Sequence, residues 1–289
     1  MPPSRKILPC LRVAAFGVAA LCSVGAAAQE RLPIFDTHVH YSRGAWETYP
    51  PTRILEILDA AGVPRALVSS TPDDGTRRLH AAAPGRVVKN LRPYRSHGDM
   101  GDWFASDEVL AYVKGRLAQG GYQGVGEFHL MTEATAQTAQ IEELTALALA
   151  QDLVLQIHAD AAPVRAIFAV EPGLKILWAH AGFSEPPAVV GEMLDRYPNL
   201  WTETSFRAED IAPNGSDLDP EWRALLLRHS GRFMIGTDTY VPARWEEYWA
   251  LVEQQRTWVS QLPPEAARAI AYGNAVRLFG AGKDEFWPD

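Results

Sequence analysis

Short apolar and β-branched runs recur along the chain at 32–35, 66–70, 86–91, 124–127, 153–157, 175–178, 200–203 and 233–235. Between them lie segments with apolar residues three and four apart, such as Ile54, Leu55, Ile57, Leu58 and Val109, Leu110, Tyr112, Val113. Runs of the first kind read as buried strands and segments of the second as amphipathic helices. Their strict alternation predicts parallel β-α units. Phe35 to Ile235 spans seven steps of about 29 residues each, the size of one unit. Eight such units close into an α/β barrel of the (β/α)8 TIM type. An open doubly wound sheet is the competing arrangement, but it gathers its polar site residues near one switch point. Here they follow at least five of the runs.

The first thirty residues break this pattern. Arg5, Lys6 and Arg12 precede an apolar stretch from Val13 to Val24 that ends in Ala26, Ala27 and Ala28. That order predicts a signal peptide over residues 1–28, cleaved before Gln29, and a secreted or periplasmic product. The barrel domain is then expected over 29–289. No later segment is apolar for long enough to predict a membrane span. Both cysteines, Cys10 and Cys22, fall in the leader, so the mature chain has no thiolate or disulfide to offer. Any metal must be held by imidazole and carboxylate. Loss of the leader removes three basic residues and no acidic ones, which takes the formal net charge from −8 to about −11. So acidic a chain is not expected to bind nucleic acid. The expected partner is a small-molecule substrate, with a homo-oligomer left open.

The chemistry sits where the runs end. His38 and His40 are two apart in Phe35-Asp36-Thr37-His38-Val39-His40, so on a strand they face the same way. Two converging imidazoles fit a shared divalent cation. His158, His180 and Asp238 each follow an apolar run in the same manner, at the end of a barrel where active sites lie. Glu127 follows Gly124-Val125-Gly126, where glycines let backbone or ligand approach closely. It either bridges two metals or orients a ligand histidine. His129 reads as a substrate-side or structural residue. Arg92 and Tyr94 after the third run, and Arg207 after the seventh, are candidates to hold a substrate carboxylate. Trp103, Trp178 and Phe183 line an apolar pocket or belong to the core.

Taken together, these motifs resemble the amidohydrolase superfamily. Within it the likeness is to the amidohydrolase-2 type, which includes aminocarboxymuconate-semialdehyde decarboxylase and several lactonases. It covers nearly the whole mature chain. It rests on His38-x-His40, Gln156-Ile157-His158, Trp178-Ala179-His180-Ala181-Gly182, Gly236-Thr237-Asp238 and the closing Gly273-Asn274-Ala275-Val276-Arg277-Leu278-Phe279. The resemblance implies that His38, His40 and Asp238 bind the more buried ion, with His158 on it or on a second one. His180 is then a ligand or a catalytic acid. Members with two ions take a bridging carboxylate from the fourth strand. No lysine stands there to be carboxylated, Lys89 on the third being a remote substitute, and Glu127 keeps the two-ion option open.

The implied cofactor is a divalent metal, zinc by expectation, as one ion or two. The expected reaction is hydrolysis of an ester, lactone, amide or phosphoester by water that the metal activates. Asp238 acts as general base, and His180 stabilises the developing charge or protonates the leaving atom. Non-oxidative decarboxylation on the same scaffold is the alternative, and fold alone does not separate the two. A third reading is an exported metal-binding protein without catalysis, which the presence of Asp238 disfavours.

Overall fold

A computed structural model describes residues 31–280, together with Met1 and Trp287. The predicted leader therefore lies, apart from Met1, outside the described residues. Eight strands run parallel in sequence order: β1 Phe35–His40, β2 Arg65–Ser69, β3 Val87–Leu91, β4 Tyr122–His129, β5 Val154–His158, β6 Lys175–Trp178, β7 Leu200–Glu203 and β8 Phe233–Met234. A parallel bridge between Asp36 and Ile235 brings the chain after β8 back to β1. The Thr37 amide donates to the Ile235 carbonyl at 2.8 Å. The sheet thus curls round on itself as a (β/α)8 barrel.

Helices α1 Pro51–Ala61, α2 Asp74–Ala82, α3 Asp107–Leu117, α4 Ala139–Ala150, α5 Ala161–Val170, α6 Pro187–Arg196, α7 Ala208–Ile211, α8 Pro220–Arg228 and α9 Tyr248–Val259 follow the strands. Helix α1 starts on a proline, which suits a first turn that has no use for its N–H, and buries Ile54, Leu58 and Ala61. In α3 the Ser106 side chain accepts from the Val109 amide, and Val109, Leu110, Val113 and Leu117 are buried. Among the described residues no helix is long and apolar enough to cross a membrane.

The first strand departs furthest from the sequence reading, the other strand ends differing by two residues or fewer. The first strand begins at Phe35 and runs through His40, so the two histidines lie within the strand. The reason is pairing on both sides: Val39 and His40 stand opposite Val68 and Ser69 of β2, while the His38 carbonyl accepts from the Asp238 amide at 2.7 Å. Beneath the histidines, Asn90 donates to the Gln156 side chain at 2.7 Å, and Gln156 donates to the Thr37 carbonyl at 3.2 Å. This polar layer closes the barrel below the site.

Candidate metal centre

Six side chains from five strand ends converge at the C-terminal mouth of the barrel. His38 sends its Nδ1 to Glu203 Oε1 at 2.9 Å, and His40 sends its Nδ1 to the Ser69 carbonyl at 2.8 Å. With Nδ1–H committed in each ring, Nε2 carries the lone pair. The two Nε2 atoms stand 3.1 Å apart. Asp238 Oδ1 lies 3.6 and 3.2 Å from them, and Glu127 Oε2 lies 3.5 and 3.2 Å from them.

A second group adjoins the first. His180 sends Nδ1 to Ser205 Oγ at 2.7 Å, and Ser205 in turn donates to Glu203. Its Nε2 then faces His158 Nδ1 at 3.1 Å and Glu127 Oε1 at 3.2 Å. His158 Nδ1 is 3.0 Å from the same Oε1. Glu127 therefore turns one oxygen to each group.

The placement of Glu127 depends on Gly126, which has φ 141°. A Cβ there would meet the Gln156 carbonyl oxygen at 2.2 Å, so no other residue lets β4 lie this close to β5. Gly236 does the same for Glu203. A Cβ on it would stand 2.0 Å from Glu203 Oε2 and 2.9 Å from His38 Cβ.

These donors fit a divalent cation. Ligands sharing one ion at about 2.0–2.1 Å are themselves about 3.0–3.4 Å apart, and the spacings above fall close to that range. Asp238 Oδ1 is buried and has no hydrogen-bond partner among the described residues, with His38 and His40 Nε2 at 3.6 and 3.2 Å from it. Burial alone would lower the His38 pKa, but the carboxylates of Asp238, Glu127 and Glu203 outweigh it and hold it well above the ordinary histidine value. Burial would likewise raise Asp238 and Glu127, yet His38 and the neighbouring imidazoles hold both below the usual carboxylate range. The pocket thus calls for positive charge at its centre, and a buried carboxylate cluster without it is costly.

The decisive comparison is with a family model described as amidohydrolase, which matches residues 35–281. The chain belongs to the amidohydrolase family. It is accordingly an enzyme of the amidohydrolase superfamily, and the donor set above fits the divalent metal that this membership suggests. Among solved structures it is similar to a protein from Pseudomonas putida named as a 2-pyrone-4,6-dicarboxylic acid hydrolase, at 20% identity and a TM-score of 0.63, covering 88% of this chain and 99% of that one. It is also similar to an amidohydrolase from Burkholderia multivorans with bound zinc, at 17% identity and a TM-score of 0.58, over 86% and 99% of the two chains. A TatD homologue from Escherichia coli K12 shares 18% identity and a TM-score of 0.58, over 86% and 98%. At these identities the likeness is one of fold. No curated protein matched the sequence.

The remaining site candidates of this amidohydrolase fall in different places. Arg92 is buried, donating from Nη2 to Glu127 Oε2 at 3.0 Å and from Nε to the Glu127 carbonyl at 3.1 Å. It braces the carboxylate between the two groups. The Tyr94 hydroxyl accepts from the His129 amide and meets His129 Nδ1, both at 2.9 Å. Burial pushes the Tyr94 pKa up and the His129 pKa down to about 4. The His129 ring stacks on His158 with centroids 4.4 Å apart.

Arg207 departs from the expectation of a substrate-binding residue. It is buried, and it donates to the carbonyls of Ala181 at 3.1 Å and Glu185 at 2.8 Å, to those of His180 and Phe183, and pairs with Asp210 at 2.7 Å. Those bonds hold the loop after β6, in which His180, Ala181 and Phe183 all have positive φ. Of the suggested pocket aromatics, Trp178 is fully buried and Trp103 nearly so, whereas Phe183 is half exposed.

Two partners escaped the sequence reading. Glu203 closes β7 and serves both His38 and the main-chain N–H of His180, which it accepts at 2.7 Å. Arg244 donates to the Asp238 carbonyl at 2.6 Å and the Thr237 carbonyl at 2.7 Å, fixing the positive φ of Asp238. Glu203 follows an apolar run as the ligands do, so the same strand-end signal marks it; Arg244 has no comparable signal.

Proposed function

We propose that this amidohydrolase hydrolyses an ester or lactone with two divalent ions held on either side of Glu127. The observation that carries this reading is the division of the Glu127 carboxylate, with Oε2 among His38, His40 and Asp238 and Oε1 between His158 and His180. His38, His40 and Asp238 would hold one ion, and His158 and His180 the other. Such ions, when bound, polarise an acyl centre and make water nucleophilic near neutral pH.

The protein's own groups do the rest. Asp238, anionic and free of protein donors at Oδ1, accepts the proton of the attacking water and passes it to the leaving oxygen. Glu203 and the Ser69 carbonyl accept from Nδ1 of His38 and His40 and so turn each Nε2 toward the centre of the site. His158, whose side chain is 20% exposed, lies nearest the mouth and marks the side from which substrate enters. His180 stands beside it, its Nε2 turned toward His158 Nδ1 and Glu127 Oε1. Arg92, bound to Glu127, is unavailable as a carboxylate clamp in this scheme.

The zinc carried by the Burkholderia multivorans neighbour and the hydrolase name of the Pseudomonas putida one make zinc and lactones the natural starting points. The sequence of residues 1–28 supports an exported protein. The test is elemental analysis of the purified protein followed by a screen of lactones, esters, amides and phosphoesters, with aromatic carboxylates assayed for carbon dioxide release. Two ions and hydrolytic turnover are expected. One ion with decarboxylation, or bound metal with no turnover at all, overturns the proposal.

A further inference from the structure

Above the metal centre, three loops each contribute a large apolar ring that the fold leaves uncovered. Phe183 follows β6, Phe206 follows β7 and Tyr240 follows β8. They are 50%, 44% and 52% exposed. The rings form a continuous band. Phe183 and Phe206 have centroids 6.4 Å apart, and Phe206 and Tyr240 6.0 Å. The band rests directly on the candidate ligands: Phe183 is 5.5 Å from His158 and 5.7 Å from His180, and Phe206 is 5.6 Å from His180 with its plane nearly perpendicular.

Two features argue that these rings are not there for packing. Phe183 and Phe206 have φ of 55° and 61°, a conformation that disfavours any side chain with a Cβ and bulky ones most. Glycine or asparagine would hold the same turn with less strain. Strain of this sort gathers at ligand sites. A half-exposed phenylalanine at a strained position gains little from the core, so its contact surface is meant for something outside the chain. The rings are tilted by 59° and 54° to one another rather than stacked, and offset or T-shaped contacts at about 4.5–7 Å are the favoured way for a further ring to join them. The guanidinium of Arg244 lies 4.5 Å over one face of the Phe206 ring.

We infer that this band is an aryl subsite, and that the substrate carries an aromatic ring adjoining the bond to be broken. The inference rests on the hydrolytic reading above, because it is the contact of Phe183 and Phe206 with His158 and His180 that places such a ring beside the reacting group. Charge agrees with this class: Arg92 and Arg207, the cations expected to greet a carboxylate, are both committed to protein acceptors.

The test compares two probes with the same anionic head, phenylphosphonate and methylphosphonate, by calorimetry on the zinc-loaded full chain. The wild type should bind phenylphosphonate about tenfold or more tighter. Phe183→Ala and Phe206→Ala should bring the ratio toward one while methylphosphonate affinity stays put; general damage to the site would weaken both probes together. Phe206→Gly, which removes the ring and the strain, should match Phe206→Ala in the ratio without a lower melting temperature. Equal binding of the two probes by the wild type, binding of neither, or a ratio untouched by both alanine variants overturns the subsite. A clear preference for phenylphosphonate in a protein that turns over no ester or lactone would leave the subsite standing and remove the hydrolytic reading.

Discussion

Nδ1 of His38 and Oε1 of Glu203 are 2.9 Å apart, both fully buried. The two residues are 165 positions apart in sequence. A carboxylate behind a ligand imidazole fixes its tautomer and raises its basicity, and losing such a partner typically costs about 10- to 100-fold in metal affinity. Glu203→Gln should therefore bind zinc about 10- to 100-fold more weakly with its circular dichroism unchanged. Competition against a chelator of known affinity measures this. Wild-type affinity in the variant would reduce Glu203 to a hydrogen-bond acceptor for the Ser205 and His180 amides.

Glu127 touches both groups of donors, and its replacement separates a bridge from a brace. An amide oxygen is a poor ligand for a second cation, so Glu127→Gln should lower the ion count from two toward one. Elemental analysis after dialysis gives the count. If the wild type itself holds a single ion, Glu127 is an orienting group, bonded to His158 and Arg92, and decarboxylation becomes the stronger reading.

How far the sequence carried can be judged from particular residues. His38 and His40 were legible because strand parity puts them on one face, and His158, His180 and Asp238 because each ends an apolar run at the mouth of the barrel. The eight units were legible from alternation alone. The start of β1 was not, since its extent is set by pairing with β2 and with the chain after β8, which no local pattern reveals. Glu203 was passed over as the last residue of a strand, its role resting on a partner at the other end of the chain. Arg207 was misread because an arginine after a strand looks the same whether its donors go to a substrate or to the loop beside it.

That last point is open to measurement. Arg207 satisfies the carbonyls of Ala181 and Glu185 within the protein, and each buried acceptor left without a donor costs about 1–3 kcal/mol. Arg207→Met should lower unfolding free energy by about 2–4 kcal/mol in urea. A substrate-binding arginine behaves otherwise: stability would hold and KM alone would rise.

Asp73 offers a pH test away from the metal centre. Burial, the largest influence, raises its pKa above the usual carboxylate range, against the lowering effect of Tyr122 and Arg116. The folded state thus holds the proton more tightly than the unfolded chain. Its contribution to stability is complete below the unfolded value of about 3.9 and is lost as pH rises through the folded one. Asp73→Asn still offers an oxygen to the Tyr122 hydroxyl, which the aspartate accepts at 2.6 Å, but has no charge to bury. Relative to wild type, the variant should stand better at pH 7 than at pH 4. Melting curves at the two pH values check the sign, and a difference in the opposite direction would mean that the ion pair with Arg116 outweighs burial.

Asp238 is the general base in the mechanism proposed above. Its backbone is pinned by Arg244 and by the hydrogen bond that its N–H donates to the His38 carbonyl, while Oδ1 faces His38 and His40 with no hydrogen-bond partner among the described residues. Asp238→Asn nearly preserves size and keeps an oxygen toward the ion, so the fold should survive with much of the metal. An amide cannot take a proton from water, and loss of a general base typically costs about 10²- to 10⁴-fold in rate. Kinetics at saturating zinc, on whichever substrate the screen reveals, should show that loss in kcat. Weaker metal binding would masquerade as the same defect at low zinc, which is why saturation is required. Unchanged turnover in the fully loaded variant would assign the proton transfer to another group.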